Sequence, residues 1–196
     1  MLTKTQIEIM KVFVSKIIEK FSIKQVSEIL GKPYPLIHRS IKMLIEQKYL
    51  LKDERGLLCL NYRRNHGELA YIESLRSKGF LDKNKTINLF VNDILEGIKQ
   101  DFFILLIFGS AVEKKDFRDI DVLLIVDNNH LDNTEKAAEN ISSNFTLKLD
   151  VNVVSVESAY EMLSKTYKLN VMNEALNKHL ILFGAENFYK ILKNVR

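Results

Sequence analysis

The chain has 196 residues, 46% hydrophobic and 28% charged, which excludes a disordered or fibrous protein. No apolar run approaches the roughly 20 residues of a bilayer-crossing helix, and MLTKTQIEIMKVF lacks a signal peptide's apolar stretch, so a cytoplasmic protein without a membrane partner is expected; the lone Cys59 excludes an internal disulfide or cysteine zinc site and reads as a small core residue. Net charge is +4, divided unevenly: residues 1–80 hold 15 Lys and Arg against 8 Asp and Glu, and residues 81–196 hold 14 against 17, which predicts two domains, the first meeting a polyanion and the second a cation.

In residues 5–21, Ile7, Met10, Val14, Ile17, Ile18 and Phe21 fall on one helical face, and Thr5 with Glu8 has the spacing of a capping box. A second, short helix is announced by Ser22-x-x-Gln25, buries Val26, Ile29 and Leu30, and stops at Gly31. Lys32-Pro33-Tyr34-Pro35 makes the next turn, and Pro35 suits the first position of a third helix, where its missing N–H costs nothing. Ile37, Ile41, Leu44 and Ile45 form that helix's buried face, which leaves His38, Arg39, Ser40 and Lys42 near its exposed N-terminal end. Residues 49–52 and 57–62 then read as two strands around the turn Asp53-Glu54-Arg55-Gly56.

Three helices and a hairpin in this order resemble a winged helix-turn-helix domain over residues 1–64. The resemblance implies DNA, or RNA, as partner, with His38, Arg39 and Lys42 facing bases or phosphates, Arg55 on the wing and Arg63-Arg64 at its base. A small helical domain for protein contacts or dimerisation is the plainer alternative, and a homodimer is compatible with it. Residues 65–80 read as a connecting helix, with Leu69, Ile72 and Leu75 at helical spacing and Gly79 as its stop.

The remainder, residues 81–196, alternates helix and strand. A helix over 82–100 with Ile87, Phe90, Val91, Ile94 and Ile98 inward precedes strands over 103–108 and 120–126, a helix over 133–144 and a strand over 146–154. Tyr160, Met162, Leu163 and Tyr167 are expected to pack a helix on the sheet, and the apolar run 180–183 with Gly184 is followed by a helical stretch over 186–193. His130 and His179 lack metal-ligand spacing and read as surface residues. The fold class is therefore α+β, an N-terminal three-helix-and-hairpin unit joined to a C-terminal α/β unit with a mixed sheet.

The chemistry concentrates in FILLIFGSAVEKKDFRDIDVLLIV, residues 103–126. Gly109 lets the backbone adopt a positive φ and approach a ligand closely, while the following N–H groups and the Ser110 hydroxyl can bond phosphate oxygens. Asp119 and Asp121, two apart on a strand, project from one face and repel each other unless a cation intervenes. Mg²⁺, an oxygen-seeking ion usually shared with substrate phosphates, is the natural partner. Asp150, in a strand-like run with Lys148 and Asn152 on its face, supplies a third carboxylate.

Phe108-Gly109-Ser110, Asp119-Ile120-Asp121 and Asp150 resemble the signature of the DNA polymerase β superfamily, in particular the small prokaryotic minimal nucleotidyltransferases. The resemblance implies transfer of a nucleoside monophosphate from a nucleoside triphosphate, ATP foremost, to a hydroxyl, with loss of pyrophosphate. Asp119 and Asp121 would hold metal, Asp150 would complete the catalytic ion's ligands, and Gly109 with Ser110 would bind phosphate. Only eight residues separate Ser110 from Asp119, Ala111-Val112 stands where many members carry a basic residue and a glycine, and Arg118 replaces a small residue. Arg118 either reaches a phosphate or pairs with Asp116. The alternative function is a DNA-binding transcriptional regulator whose second domain senses nucleotide or is inactive; a third makes the first domain a recognition arm for a tRNA or protein acceptor.

Overall fold

The computed structural model describes residues 2–113, 117–165 and 169–195. Asp116 and Tyr167, each given a contact above, lie outside them. Helix α1 (Lys4–Ser15) is capped by Thr3, whose hydroxyl accepts from the Gln6 N–H at 3.3 Å while the Gln6 side chain accepts from the Thr3 N–H at 2.8 Å. The box therefore lies two residues before the expected Thr5 and Glu8. The helix also ends early, at Ser15, because Phe21 is drawn into a backbone bridge with Leu58. Phe21 and Ile17 are buried all the same, whereas Ile18 is exposed.

Helix α2 (Ile23–Leu30) begins at the Ser22 and Gln25 capping box and ends at left-handed Gly31, as its sequence requires, but Ile29 faces solvent. Helix α3 (Tyr34–Glu46) carries Pro35 at its second position and buries Ile37, Ser40, Ile41 and Leu44. Ser40 thus belongs to the inner face, not to the exposed end. Strands β1 (Leu50–Lys52) and β2 (Leu58–Leu60) pair antiparallel. Their turn is closed by Asp53, whose carboxylate accepts from the N–H groups of Arg55 and Leu57 at 3.0 and 2.9 Å. Cys59 is only partly buried, because the two-residue period that points Leu58 and Leu60 inward turns it outward. Desolvation still pushes its thiol pKa up, away from reactivity.

Helix α4 (His66–Leu81) runs through Gly79, where a stop was expected. Glycine ends a helix by adopting a positive φ, and Gly79 does not. Helix α5 (Lys85–Gly97) leads into β3 (Phe103–Phe108), the short helix α6 (Ser110–Glu113) and β4 (Asp119–Val126). A 3-10 turn at Asn128–His130 precedes α7 (Leu131–Ser142), β5 (Lys148–Ser155), α8 (Val156–Ser164), α9 (Val171–Asn177), β6 (His179–Phe183) and α10 (Ala185–Val195). Neither α6 nor α9 was anticipated; both are too short to display an apolar period.

The fold is α+β, with a two-stranded sheet and a mixed four-stranded sheet ordered β5-β4-β3-β6. Strand β3 pairs antiparallel with both neighbours, and β4 pairs parallel with β5 through the α7 crossover. All six residues of β3 are buried because both faces of the sheet are covered, which explains its uninterrupted apolar sequence. Phe103, Leu105, Ile107, Ile120, Val122 and Leu124 pack under α5 and α7, while Ile104, Leu106, Phe108, Leu123 and Ile125 face α4, α8, α9 and α10. The second cluster continues without a break through Leu69 and Ile72 of α4 into Ile9, Met10 and Phe13 of α1. Helix α4 is therefore packed into both halves.

Candidate phosphate and carboxylate site

The pairing registers bring the sequence motif together. Phe108 stands opposite Asp121, and Asp121 stands beside Asp150, so a single row across three strands carries two of the three carboxylates. Asp119 lies one pleat away on the same face, opposite Lys148, whose ammonium is 3.7 Å from its carboxylate. Residues facing one another across strands share a face. Asp119, Asp121 and Asp150 therefore project on the α8 and α9 side of the sheet, as does Asn152, opposite Leu123.

Gly109 follows at the end of β3 with φ +71°. A Cβ there would lie 2.7 Å from Asp121 Oδ2, so the glycine is required twice, by its backbone conformation and by the carboxylate packed against it. Its N–H donates to the Lys178 carbonyl at 3.1 Å, which ties the turn to the residue before β6. Ser110 opens α6, half-buried, and Arg118 is exposed at the residue before β4.

The Asp121 carboxyl is held above its ordinary pKa, first by burial and then by the charges of Asp119, Asp150 and Glu174, with Lys148 opposing. Glu174, on α9, is a fourth acid that sequence reasoning missed, because no spacing within a strand connects it to the Asp pair. Among the described residues, no three or more His, Cys, Asp or Glu form a ready metal cage. The donors near the turn are carboxylate oxygens, which match Mg²⁺ in kind, and the unbalanced negative charge at Asp121 is the electrostatic condition a divalent cation relieves.

A hollow of about 450 Å³ lined by Lys83, Lys85, Thr86, Phe117 and Leu147 opens near the start of β4 and β5. It belongs to the opposite face, since Ile87 and Leu147 pack in the α5 and α7 core.

In the N-terminal half, His38, Arg39 and Lys42 are exposed on α3, and the His38 ring stacks on Tyr34 with centroids 5.9 Å apart. Arg55 is exposed on the hairpin turn, which Lys20 holds through an ion pair to Asp53 at 2.9 Å. Arg63 and Arg64 are exposed just after β2.

His130 is exposed as expected, but His179 is fully buried, which corrects its assignment to the surface. It pairs opposite Phe108 at the start of β6 and meets Glu73 of α4. Tyr160 and Met162 are partly buried and Leu163 is fully buried on α8, against the sheet. No family model, curated protein or solved structure matches the chain.

Proposed function

We propose that the chain is a nucleotidyltransferase that moves a nucleoside monophosphate from a nucleoside triphosphate, ATP foremost, to a hydroxyl acceptor, and that its N-terminal winged helix-turn-helix unit directs it to nucleic acid. One observation carries this reading: the row Phe108, Asp121, Asp150, with Gly109 folded over the middle carboxylate at a positive φ. A left-handed glycine at a strand end beside paired acids is an arrangement that lets a phosphate approach the backbone next to a cation.

Asp119, Asp121 and Asp150 would hold Mg²⁺, which supplies charge stabilisation at the phosphates and lowers the pKa of an attacking hydroxyl. The chain's own part is positional. Gly109 lets Asp121 pack against the turn, the Ser110 hydroxyl and N–H offer donors to phosphate, and exposed Arg118 brings a guanidinium to the same strand end. The Lys148 ammonium, 3.7 Å from the Asp119 carboxylate, adds a positive charge at the same strand end.

A second reading, a DNA-binding regulator whose nucleotide site acts as a sensor, is favoured by the continuous packing of α1, α4 and the sheet. The two separate on turnover. Full-length protein incubated with labelled ATP, Mg²⁺ and cell extract is expected to transfer label to an acceptor, and Asp119→Ala to transfer none. Tight ATP binding without transfer supports the sensor instead.

A further inference from the structure

The row that holds Asp150, Asp121 and Phe108 extends one strand further, to His179. At strand spacings of about 4.8 Å, His179 stands roughly 10 Å from Asp121. Its Nε2 lies 3.3 Å from Glu73 Oε1, and the same oxygen accepts a hydrogen bond from the Tyr189 hydroxyl at 3.0 Å. The other Glu73 oxygen meets Arg76 at 2.6 Å, and a second Arg76 nitrogen donates to the His179 carbonyl at 2.7 Å. Glu73, His179 and Tyr189 are all 0% exposed. One carboxylate thus fastens α4, β6 and α10 together.

Such a cluster is a poor way to gain stability, because the lost hydration of buried charges offsets their attraction and apolar packing serves as well. What it supplies is direction: each bond has a fixed length and angle. Arg76 fixes the peptide at the start of β6, and the preceding residue, Lys178, accepts the Gly109 N–H. The Gly109 turn hangs from the segment that the quartet holds.

We propose that Glu73, Arg76, His179 and Tyr189 are positioning residues, which set β6 so that the Gly109-Ser110 turn is fixed over Asp121 in the geometry that receives a nucleotide phosphate. The role in phosphate reception rests on the nucleotidyltransferase reading; the hold on the turn does not. Among the described residues His179 Nδ1 has no hydrogen-bond partner, and the ring's Nε2 meets Glu73.

The test is amide hydrogen exchange at Gly109, followed by NMR in the full chain, for Tyr189→Phe, Glu73→Gln and a control on α1, Phe13→Leu. Loss of one buried hydrogen bond to a charged group predicts about tenfold faster Gly109 exchange in the first two variants. In Phe13→Leu, Gly109 exchange is expected to stay as in the parent although its melting temperature falls. Magnesium-ATP affinity is expected to weaken by about tenfold in the first two variants and by less than twofold in the control. Tyr189→Phe removes a single hydroxyl and keeps the test available if Glu73→Gln fails to fold. Gly109 exchange unchanged in Tyr189→Phe overturns the proposal, as does equal acceleration in Phe13→Leu. If the parent protein binds no magnesium-ATP, the nucleotide reading falls, while Gly109 exchange still decides whether the quartet holds the turn.

Discussion

An alanine at position 109 carries two penalties, a left-handed backbone at φ +71° and a methyl group 2.7 Å from Asp121 Oδ2. Gly109→Ala is expected to lower stability by about 1–3 kcal/mol in chemical denaturation. Asp121 gives a prediction of opposite sign. Its pKa in the folded protein lies above 3.8 through burial and then through Asp119, Asp150 and Glu174, so its contribution to stability is present below the unfolded pKa and lost as pH rises through the folded one. At neutral pH the ionised carboxylate opposes folding. Asp121→Asn is therefore expected to melt a few degrees higher than the parent at pH 7, with the gap closing as pH falls toward 4. Equal melting temperatures at pH 7 would remove the electrostatic account of the site. Gly109, Ser110, Asp119 and Asp121 were legible in the sequence because turn chemistry and the two-residue strand period act locally. His179 and Glu73 were not, because their contact spans 106 positions and neither neighbourhood carries a spacing that signals it.

Among the elements, the candidate nucleic-acid surface is that of α3 and the β1-β2 hairpin, which exposes Arg39, Lys42 and Arg55. Its exposed cations predict duplex binding that falls steeply with salt, since each phosphate contact releases counterions. Replacing both Arg39 and Lys42 with alanine is expected to weaken binding at every sequence tested and to reduce the slope of log affinity against log salt by about 2. Salt-independent binding, or none by the parent, would contradict a nucleic-acid role. The apolar periods of α1, α3 and α5 were readable, and so were the helical stretch of α7 and the strands β3 and β4. Boundaries moved where tertiary contacts intervened: Phe21 left the first helix to pair with Leu58, and Asp119 joined β4 because Lys148 on β5 gives it a strand partner.

Across the molecule, the core running from α1 through Leu69 and Ile72 to the sheet makes α4 common to both halves. Thermal unfolding is expected to be one cooperative transition, and Ile72→Ala, which empties a fully buried position, should destabilise the whole by about 2–5 kcal/mol. Two resolved transitions, with only the first shifted by Ile72→Ala, would show that the halves melt independently. Charge asymmetry pointed to two partners, yet it could not report this shared helix, whose inner face mixes Leu69 and Ile72 with buried Glu73 and Ser77.

The most direct measurement of the central claim is magnesium-dependent release of pyrophosphate from ATP by the full-length protein in the presence of acceptor-containing extract. Release by the parent, absent without Mg²⁺ and reduced at least about a hundredfold in Asp119→Ala, is the predicted result. Release that Asp119→Ala leaves unchanged, or ATP binding by the parent with no release at all, would contradict it.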